Sequence, residues 1–153
     1  MALEIERKYL VKGEVWKETK CVYFIQGYLN RDKERTVRVR IEGEKATLTV
    51  KGINCGATRN EYIYPIPVDD AVELLAICDG PLLKKNRHIV VFGGLTWEID
   101  EFLGDNEGLV VAEVELERED QDFELPDWIG QEVTDDPRYF NSNLCAYPYC
   151  KWR

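Results

Sequence analysis

The stretch Ala2-Leu-Glu-Ile-Glu-Arg-Lys-Tyr-Leu10 decides the fold of this chain and points to its chemistry. Side chains of an extended strand alternate between two faces, so Glu4, Glu6 and Lys8 share one face. Two carboxylates about 7 Å apart can bind a hard divalent cation, while the ammonium that follows binds its anionic partner. A solvent-exposed face with cross-strand ion pairs would produce the same pattern, so one strand alone does not separate the two interpretations.

The alternation of apolar and ionisable residues returns in strand after strand. Each predicted strand also tends towards a single sign of charge, whereas solvated faces usually mix charges to avoid like-charge neighbours. The repeated pattern therefore favours a ligand-binding face over a solvated one. The ionisable positions concerned are Arg38 and Arg40, Lys51, Lys85 and Arg87, Glu98 and Asp100, and Glu113, Glu115 and Glu117.

Period-two alternation predicts eight strands along the chain. Gly43-Glu44 and Gly93-Gly94 predict tight hairpin turns, which make the flanking strands antiparallel neighbours. After residue 118 the strand period is lost and an aromatic-rich segment follows. The predicted strands cover residues 3–11, 22–29, 36–42, 45–51, 59–64, 87–92, 95–101 and 109–117.

One helix is predicted between the fifth and sixth strands, at residues 69–79. Asp69 or Asp70 is the expected cap, and Gly80-Pro81 should end the helix. The residues expected to pack inwards are Val72, Leu75 and either Ala76 or Ile77. A short helical turn is expected at residues 15–19.

Eight antiparallel strands are enough to close a barrel whose interior holds a small ligand. The sequence thus predicts a single α+β domain over residues 1–153. It would be mainly antiparallel β, an eight-stranded closed barrel with helices and the aromatic C-terminal segment packed outside. The strongest inward positions give six bases and six acids, a near-neutral tunnel, as expected because unpaired charges in a confined site are costly.

The composition of the chain limits the kinds of ligand that it is suited to bind. The chain has 153 residues and a net charge of −9, from 29 acidic and 20 basic residues. An acidic protein is poorly suited to nucleic-acid polymers or anionic membranes, and a basic lining inside an acidic shell suits a small anion. The charged N-terminus predicts no export signal and hence the cytoplasm. The apolar run 109–112 is too short to span a bilayer.

The cysteine and histidine content argues against catalysis by a thiol or a histidine. The five cysteines form no Cys-x-x-Cys pair, so reduced thiols are expected, with a Cys145–Cys150 disulfide as the less favoured alternative. His88 lies off the face of Lys85 and Arg87 and is expected to pack rather than react. The chemistry that is left belongs to carboxylates, lysines and arginines.

The ordered set of motifs resembles the CYTH superfamily, the triphosphate tunnel metalloenzymes, in its compact single-domain bacterial form. The resemblance covers essentially the whole chain. One departure is Asp135-Asp136, where compact members often have a glycine. The matching motifs are Glu4-x-Glu6-x-Lys8, Gln26-Gly-Tyr28, Arg38-x-Arg40, Lys51, Arg59-Asn-Glu61, Lys85-x-Arg87, Trp97-Glu-Ile-Asp100, Glu113-x-Glu115, Glu132–Tyr139 and Asn141–Leu144.

The resemblance implies an eight-stranded tunnel that binds a triphosphate together with Mg²⁺ or Mn²⁺. Its implied phosphate-binding bases are Lys8, Arg38, Arg40, Lys51, Lys85 and Arg87. Its implied metal ligands are Glu4, Glu6, Asp100, Glu113 and Glu115, with Glu61, Arg59 and Glu98 as supporting positions around them.

Lys85 is our candidate for the general base or water-positioning group, because clustered cations lower the pKa of an ammonium. A purely electrostatic role in binding phosphate is the alternative for this lysine.

The favoured function is metal-dependent hydrolysis of inorganic tripolyphosphate, since the short chain has no obvious extra segment for a nucleobase. The alternatives on the same site are a nucleoside or thiamine triphosphatase or an adenylate cyclase. A polyphosphate- or nucleotide-binding module without turnover is the non-enzyme alternative. Small-molecule triphosphate is the expected partner, with neither a nucleic-acid polymer nor a membrane, and a homodimer is left open.

Overall fold

The computed structural model describes residues 3–152, which form nine β-strands and two α-helices. Short 3₁₀ turns lie at Val15–Glu18, Gly104–Asn106, Pro137–Tyr139 and Tyr149–Lys151. The helices are α1 (Val68–Ala76) and α2 (Asn141–Ala146). The strands are β1 (Leu3–Val11), β2 (Cys21–Asn30), β3 (Arg35–Glu42), β4 (Lys45–Gly52), β5 (Thr58–Ile66), β6 (Asp79–Phe92), β7 (Leu95–Phe102), β8 (Val110–Glu115) and β9 (Ile129–Glu132).

Eight of these strands close into an antiparallel barrel, as the sequence predicts. The hydrogen-bonded order is β1-β5-β4-β3-β2-β6-β7-β8, and β8 pairs with β1 again. The β1–β5 seam is short and joins Leu3–Ile5 to residues 58–60. Further along the same edge of β1, β9 takes the place of β5, with Tyr9 opposite Glu132 and Val11 opposite Ile129.

Apolar side chains cover the outside of the barrel, because the charged half of each strand points inwards. Helix α1 packs Ala71 and Leu75 against Val39 and its neighbours on β2–β4. Trp97 is fully buried on the other side, where Phe123 and Trp128 pack on its ring. This arrangement confirms the predicted cover of helices and aromatic segment, with a hydrophobic gain of about 25 cal/mol per Å² of apolar surface removed from water.

The C-terminal segment also fills one end of the barrel interior, which the sequence did not predict. Leu83 and Phe102 lie on the inward faces of their strands, and α2 brings Leu144 and Cys145 into contact with that cluster. Both α2 residues are buried. The interior is therefore apolar at this end and charged along the rest of its length.

Helix α1 differs from the prediction at both ends. It begins after Pro67 with no side-chain cap, and Asp69 and Asp70 lie in its first turn, where they favour the helix dipole instead. Leu75 is buried as predicted. Val72 is 57% exposed, and Ala76 and Ile77 are exposed as well, so the prediction that they pack inwards was wrong. The helix ends at Ala76, and the chain turns directly into the next strand.

Strand β6 begins at Asp79, eight residues before the predicted start. Gly80-Pro81, predicted to end the helix, lies inside this strand. The pairing of β2 with β6 shifts register between Gln26 and Tyr28, and Gly80 has a φ of +77°. A glycine in the left-handed region and a proline without an N–H are tolerated at such an irregularity.

Other expectations have clear outcomes. The hairpin turns at Gly43-Glu44 and Gly93-Gly94 are confirmed. His88 packs as expected, since its ring lies edge-on to Trp16 and its Nδ1 is 3.0 Å from the hydroxyl of Thr19. The five cysteines carry free thiols, so the alternative disulfide was wrong. No helix within residues 3–152 combines the length and apolar character needed to cross a bilayer.

Candidate functional site

A cavity of about 210 Å³ lies inside the barrel, and its walls are mostly charged. Every base predicted from the sequence contributes to it, as do four of the five predicted metal ligands. Asp100 is the exception and lies behind the wall. The supporting residues Glu61, Arg59 and Glu98 also face this cavity. The predicted residues in the walls are Glu4, Glu6, Lys8, Arg38, Arg40, Lys51, Lys85, Arg87, Glu113 and Glu115.

Closure separates the charges across the cavity. An eight-stranded barrel puts strands four steps apart on opposite sides, so β3 faces β8 and β2 faces β1. We call the inward carboxylates of β1 and β8 the acidic wall; its members are Glu4, Glu6, Glu113 and Glu115. We call Arg38 and Arg40, on β3, the basic wall. An anion between these walls would contact the arginines on one side and need cations on the other.

Within the acidic wall, Glu6 and Glu113 differ in how readily they ionise. Burial and the nearby Glu113 and Glu4 raise the pKa of Glu6 well above its usual range. Burial also acts to raise the pKa of Glu113. The charges of Lys8 and Arg87, together with a hydrogen bond from Glu6, outweigh burial and place this pKa well below the usual range. Their contact therefore favours the proton on Glu6 and the negative charge on Glu113. A cation that used both carboxylates would have to displace this proton.

The basic wall contains two buried guanidiniums without an acidic partner. Neither Arg38 nor Arg40 forms an ion pair with any described residue, and the Nε of Arg38 has no hydrogen-bond acceptor. Burial and the neighbouring Arg38 and Arg87 lower the pKa of Arg40 to about 9, so it remains charged at neutral pH. Buried and unpaired positive charge is costly in a folded protein. The basic wall is therefore poised to bind an anion.

Lys85, Arg87 and Asp100 form a tight buried cluster. The Nζ of Lys85 lies 2.6 Å from Asp100 Oδ2, and Arg87 donates to both oxygens of Asp100 at 2.8 and 2.9 Å. Despite its burial, Asp100 has a lowered pKa because Arg87 and Lys85 surround it. Both of its oxygens are thus occupied by bases, which distinguishes it from the four acids of the acidic wall.

Lys51 links the acidic wall to β5. Its ammonium is 3.0 Å from Glu4 and 3.4 Å from Glu61. Burial opposes the ionisation of Glu4, but Lys51 outweighs it and lowers the pKa of that carboxyl. Arg59 instead donates to the carbonyl of Gly52, at 2.8 Å and 3.0 Å, and so fixes the end of β4.

Glu98 lies on the other side of the cavity, where it accepts from Arg87 at 3.2 Å. Burial, only partly offset by Arg87, raises the pKa of this carboxyl. Its contact with a base rather than with another acid fits the supporting position expected from the sequence.

Sequence reasoning gave no role to several residues that the structure brings to the cavity. Tyr28 lies on the wall, and Phe24 places its ring 4.8 Å from the guanidinium carbons of Arg40 and Arg87. Both lie on β2, where inward alternation with Gln26 was a readable signal. The tail residues show no such alternation, because they follow the last predicted strand; the tail motifs include three of them but assign no role to their side chains. They are Thr134, Phe140, Asn141 and Ser142.

The donor set fits a hard divalent cation that arrives with a phosphate. Within residues 3–152, no three acidic, histidine or cysteine side chains converge closely enough to make a complete metal centre. Mg²⁺ is usually bound by one or two carboxylates together with water and substrate phosphates, rather than by an all-protein cage. The acidic wall offers such carboxylates, and the basic wall offers the matching place for phosphate oxygens.

Comparisons with known proteins agree with this architecture. The CYTH domain matches residues 2–141. An inorganic triphosphatase of Acetivibrio thermocellus is 52% identical over 151 residues, which is 97% of this chain and 97% of the relative. An inorganic triphosphatase of Nitrosomonas europaea is 36% identical over 145 residues, 92% of this chain and 95% of the relative.

The same fold is found in a solved structure. A crystal structure of the inorganic triphosphatase NE1496 superposes with a TM-score of 0.68 and 35% identity, over 95% of each chain. Because the family match, the two relatives and this structure each extend over nearly the whole barrel, this chain belongs to the CYTH domain family.

Proposed function

We propose that this protein hydrolyses inorganic triphosphate to diphosphate and phosphate, with Mg²⁺ or Mn²⁺ as cofactor. The observation that carries the proposal is the basic wall, two buried guanidiniums that have no acidic partner among the described residues and face a cavity. Two relatives at 52% and 36% identity are inorganic triphosphatases, which supports the same activity here.

The size of the cavity supports an inorganic substrate over a nucleotide. Its volume of about 210 Å³ is below the 300–1,000 Å³ typical of sites for drug-sized molecules. The apolar cluster of α2 also fills one end of the interior, so a nucleobase or thiazole ring has little apolar surface to pack on within the charged part. A nucleoside or thiamine triphosphatase and a cyclase are therefore less well supported.

The bases of the cavity form two groups, which differ in whether carboxylates hold them before the substrate binds. Arg38 and Arg40 would bind phosphate oxygens first, because no carboxylate among residues 3–152 neutralises their charges. Lys8, Lys51 and Arg87 are held by carboxylates in the ligand-free site and would exchange those partners for phosphate. Positive charge on both sides of the substrate stabilises the negative charge that shifts in the transition state.

The acidic wall would hold the metal through Glu4, Glu6, Glu113 and Glu115. A bound divalent cation would neutralise phosphate oxygens and favour ionisation of a nearby water. We place Asp100 with the bases rather than with these ligands, because Lys85 and Arg87 occupy both of its oxygens. In that position it fixes the two bases relative to each other.

Lys85 is the residue best placed to take a proton. Burial and the neighbouring Arg87 and Arg40 lower its pKa to about 7, although Asp100 opposes them. In the proposed reaction, water attacks a terminal phosphorus and its proton passes to the neutral Nζ of Lys85. The bond to the diphosphate oxygen breaks, and the arginines neutralise the charge left on that oxygen.

A single assay tests the proposal. Phosphate release should be fastest from tripolyphosphate, slow from ATP and thiamine triphosphate, and absent when EDTA replaces Mg²⁺ or Mn²⁺. Equal rates with ATP and tripolyphosphate would contradict the inorganic substrate. Binding of tripolyphosphate without release under either metal would favour the non-catalytic binding module.

Activity should rise as pH increases through about 7. Only the neutral form of Lys85 accepts a proton, and this form gains population above its pKa. The pH profile of kcat/KM reports the pKa of the group in the free enzyme, whereas the pH profile of kcat reports its pKa in the enzyme–substrate complex. Bound triphosphate favours the ammonium, so we expect the kcat profile to lie at higher pH than the kcat/KM profile. An optimum below neutral pH would contradict this role for Lys85.

Metal and triphosphate should stabilise the protein cooperatively. Tripolyphosphate brings about four or five negative charges, and two divalent cations return about four positive ones, so each ligand offsets the charge of the other. We expect metal with a slowly hydrolysed triphosphate analogue to raise the melting temperature by more than the two separate shifts added together.

Two arginines of strand β3 provide a test variant and its matched control. Arg40→Ala should weaken the joint shift, whereas Arg35→Ala should not, because Arg35 is an exposed residue paired with Asp32. Strictly additive shifts in the melting experiment would mean that metal and phosphate bind apart, and the shared site would have to be abandoned.

A further inference from the structure

A chain of amide hydrogen bonds joins two of the bases across the cavity wall. Arg40 Nε donates to Gln26 Oε1 at 2.9 Å, and Gln26 Nε2 donates to Asn141 Oδ1 at 3.4 Å. Lys85 Nζ donates to the same Asn141 oxygen at 3.0 Å. We call Gln26 and Asn141 the amide relay. It connects the basic wall on β3 with Lys85 on β6 through the first residue of α2.

The direction of the amide relay is fixed by the chemistry of its ends. Arginine and lysine have only N–H donors, so each amide must turn its oxygen towards its base. The remaining contact can then run only from the NH₂ of Gln26 to the oxygen of Asn141. Gln26 is fully buried, so water does not compete for these bonds. Each amide therefore has one orientation, and the two bases are held in a defined relation.

The relay also fixes the direction of the third bonding position on the Lys85 nitrogen. An amine nitrogen has three positions besides its carbon, and Asp100 Oδ2 and Asn141 Oδ1 occupy two of them. The third is thereby fixed in direction, whether it carries a proton for a phosphate oxygen or a lone pair for a water. Removing the Asn141 oxygen would free the ammonium to turn about its bond to Asp100.

Attachment of the tail does not require this contact. Leu144 and Cys145 are buried and already pack α2 into the apolar cluster. The carboxamide of Asn141 instead faces the cavity. Its position is explained better by the bases than by the anchoring of the helix.

We propose that Gln26 and Asn141 are positioning residues, which orient Arg40 and Lys85 for the hydrolysis of triphosphate. The inference rests on the proposed function for its kinetic test. It assigns a task to the C-terminal segment beyond covering the barrel, because Asn141 is the one link of the relay that the tail supplies. Loss of the relay should therefore affect turnover more than substrate binding, since the other bases remain.

The kinetic test compares two asparagines of the same helix. Asn141→Ala should lower kcat about tenfold, the effect of losing one hydrogen bond to a charged group, with KM changed by less than about threefold. Asn143→Ala is the matched control, because Asn143 is exposed and its side chain donates to the carbonyl of Pro137 rather than to the relay; both constants should stay within about twofold. Gln26→Leu should resemble Asn141→Ala, and the double variant should lose little more than either single one.

A spectroscopic test does not depend on activity. At about pH 5 Lys85 is charged, and its enclosed ammonium should give a slowly exchanging ¹H–¹⁵N signal, assigned by its absence in Lys85→Met. Asn141→Ala should shift or broaden this signal, whereas Asn143→Ala should leave it unchanged. Melting temperatures of the variants report any general loss of stability. If Gln26→Leu does not fold, the two asparagine variants decide the question.

The outcomes separate this inference from the proposed function. If the unsubstituted protein releases no phosphate with either metal, the proposed function fails, and the lysine signal still decides whether Asn141 positions Lys85. If the protein is active but Asn141→Ala matches Asn143→Ala in kcat and in the lysine spectrum, the positioning role is overturned. Losses that multiply fully in the double variant would also overturn it, because they would mean that Gln26 and Asn141 act separately.

Discussion

Glu6→Gln should lower kcat/KM by about 100-fold or more without lowering the melting temperature of the metal-free protein. Groups that only support a metal ligand already contribute 10–100-fold, so loss of a ligand should exceed that range. The fold should tolerate the change because burial and Glu113 raise the pKa of Glu6 well above its usual range, which favours its neutral form as a hydrogen-bond donor to Glu113. A glutamine amide can make the same hydrogen bond.

The sign of the stability effect follows from this raised pKa. Ionisation of Glu6 is easier in the unfolded chain, so the folded state loses stability as pH rises above the unfolded pKa. Glutamine removes that loss, and the variant should be as stable as the parent, or more stable, at neutral pH. The exposed Glu117→Gln is the control and should change neither activity nor melting. Full activity of Glu6→Gln at stoichiometric metal would remove Glu6 from the metal ligands.

Lys85→Ala should reduce kcat by about 100-fold or more, whereas Lys51→Ala should reduce it only about tenfold. General acid–base groups typically contribute 10²–10⁴-fold, and a residue that only binds phosphate contributes less. Lys85 has the lowered pKa that a base needs, and Lys51 is held between Glu4 and Glu61 at the other side of the cavity. Steady-state kinetics at saturating substrate distinguish the two.

The corresponding methionine variants control for packing. Lys85 lies close to the rings of Phe24 and Phe102, and methionine preserves much of its volume there. Asp100 would still be paired, because Arg87 donates to both of its oxygens. Equal losses in the Lys85 and Lys51 variants, recovered by raising the substrate concentration, would show that both lysines only bind phosphate.

The strands and the inward residues could largely be predicted from the sequence, because alternation is a local property of an extended chain. Glu4, Glu6 and Lys8 share a face whatever surrounds β1, and the same holds for Arg38 and Arg40 on β3. The start of β6 could not be predicted in this way. Its first residues pair with β2 across a register shift, and Gly80-Pro81 resembles a helix end when it is read alone.

The contacts of the C-terminal tail could not be predicted from alternation. Strand β9 has only four residues and pairs at two positions, which is too short for a period to show. Asn141 is the first residue of the short helix α2, 56 residues after Lys85, yet its oxygen contacts that ammonium. The motif Asn141–Leu144 marks this segment in the sequence, but which side chains it contacts depends on where the tail packs.

The sequence by itself determined that most strands of this protein carry bases or acids on one face, since side-chain direction in a strand alternates with position. The tertiary structure decided which of these charges meet. Closure of β1 on β5 places Arg38 and Arg40 opposite the carboxylates of β8, and it leaves those arginines without an acidic partner among residues 3–152. The register of β6 with β7 turns Asp100 towards Lys85 and Arg87 instead of the cavity. Ion pairs form between residues far apart in the chain, so strand order and register select them after the local pattern has set each face.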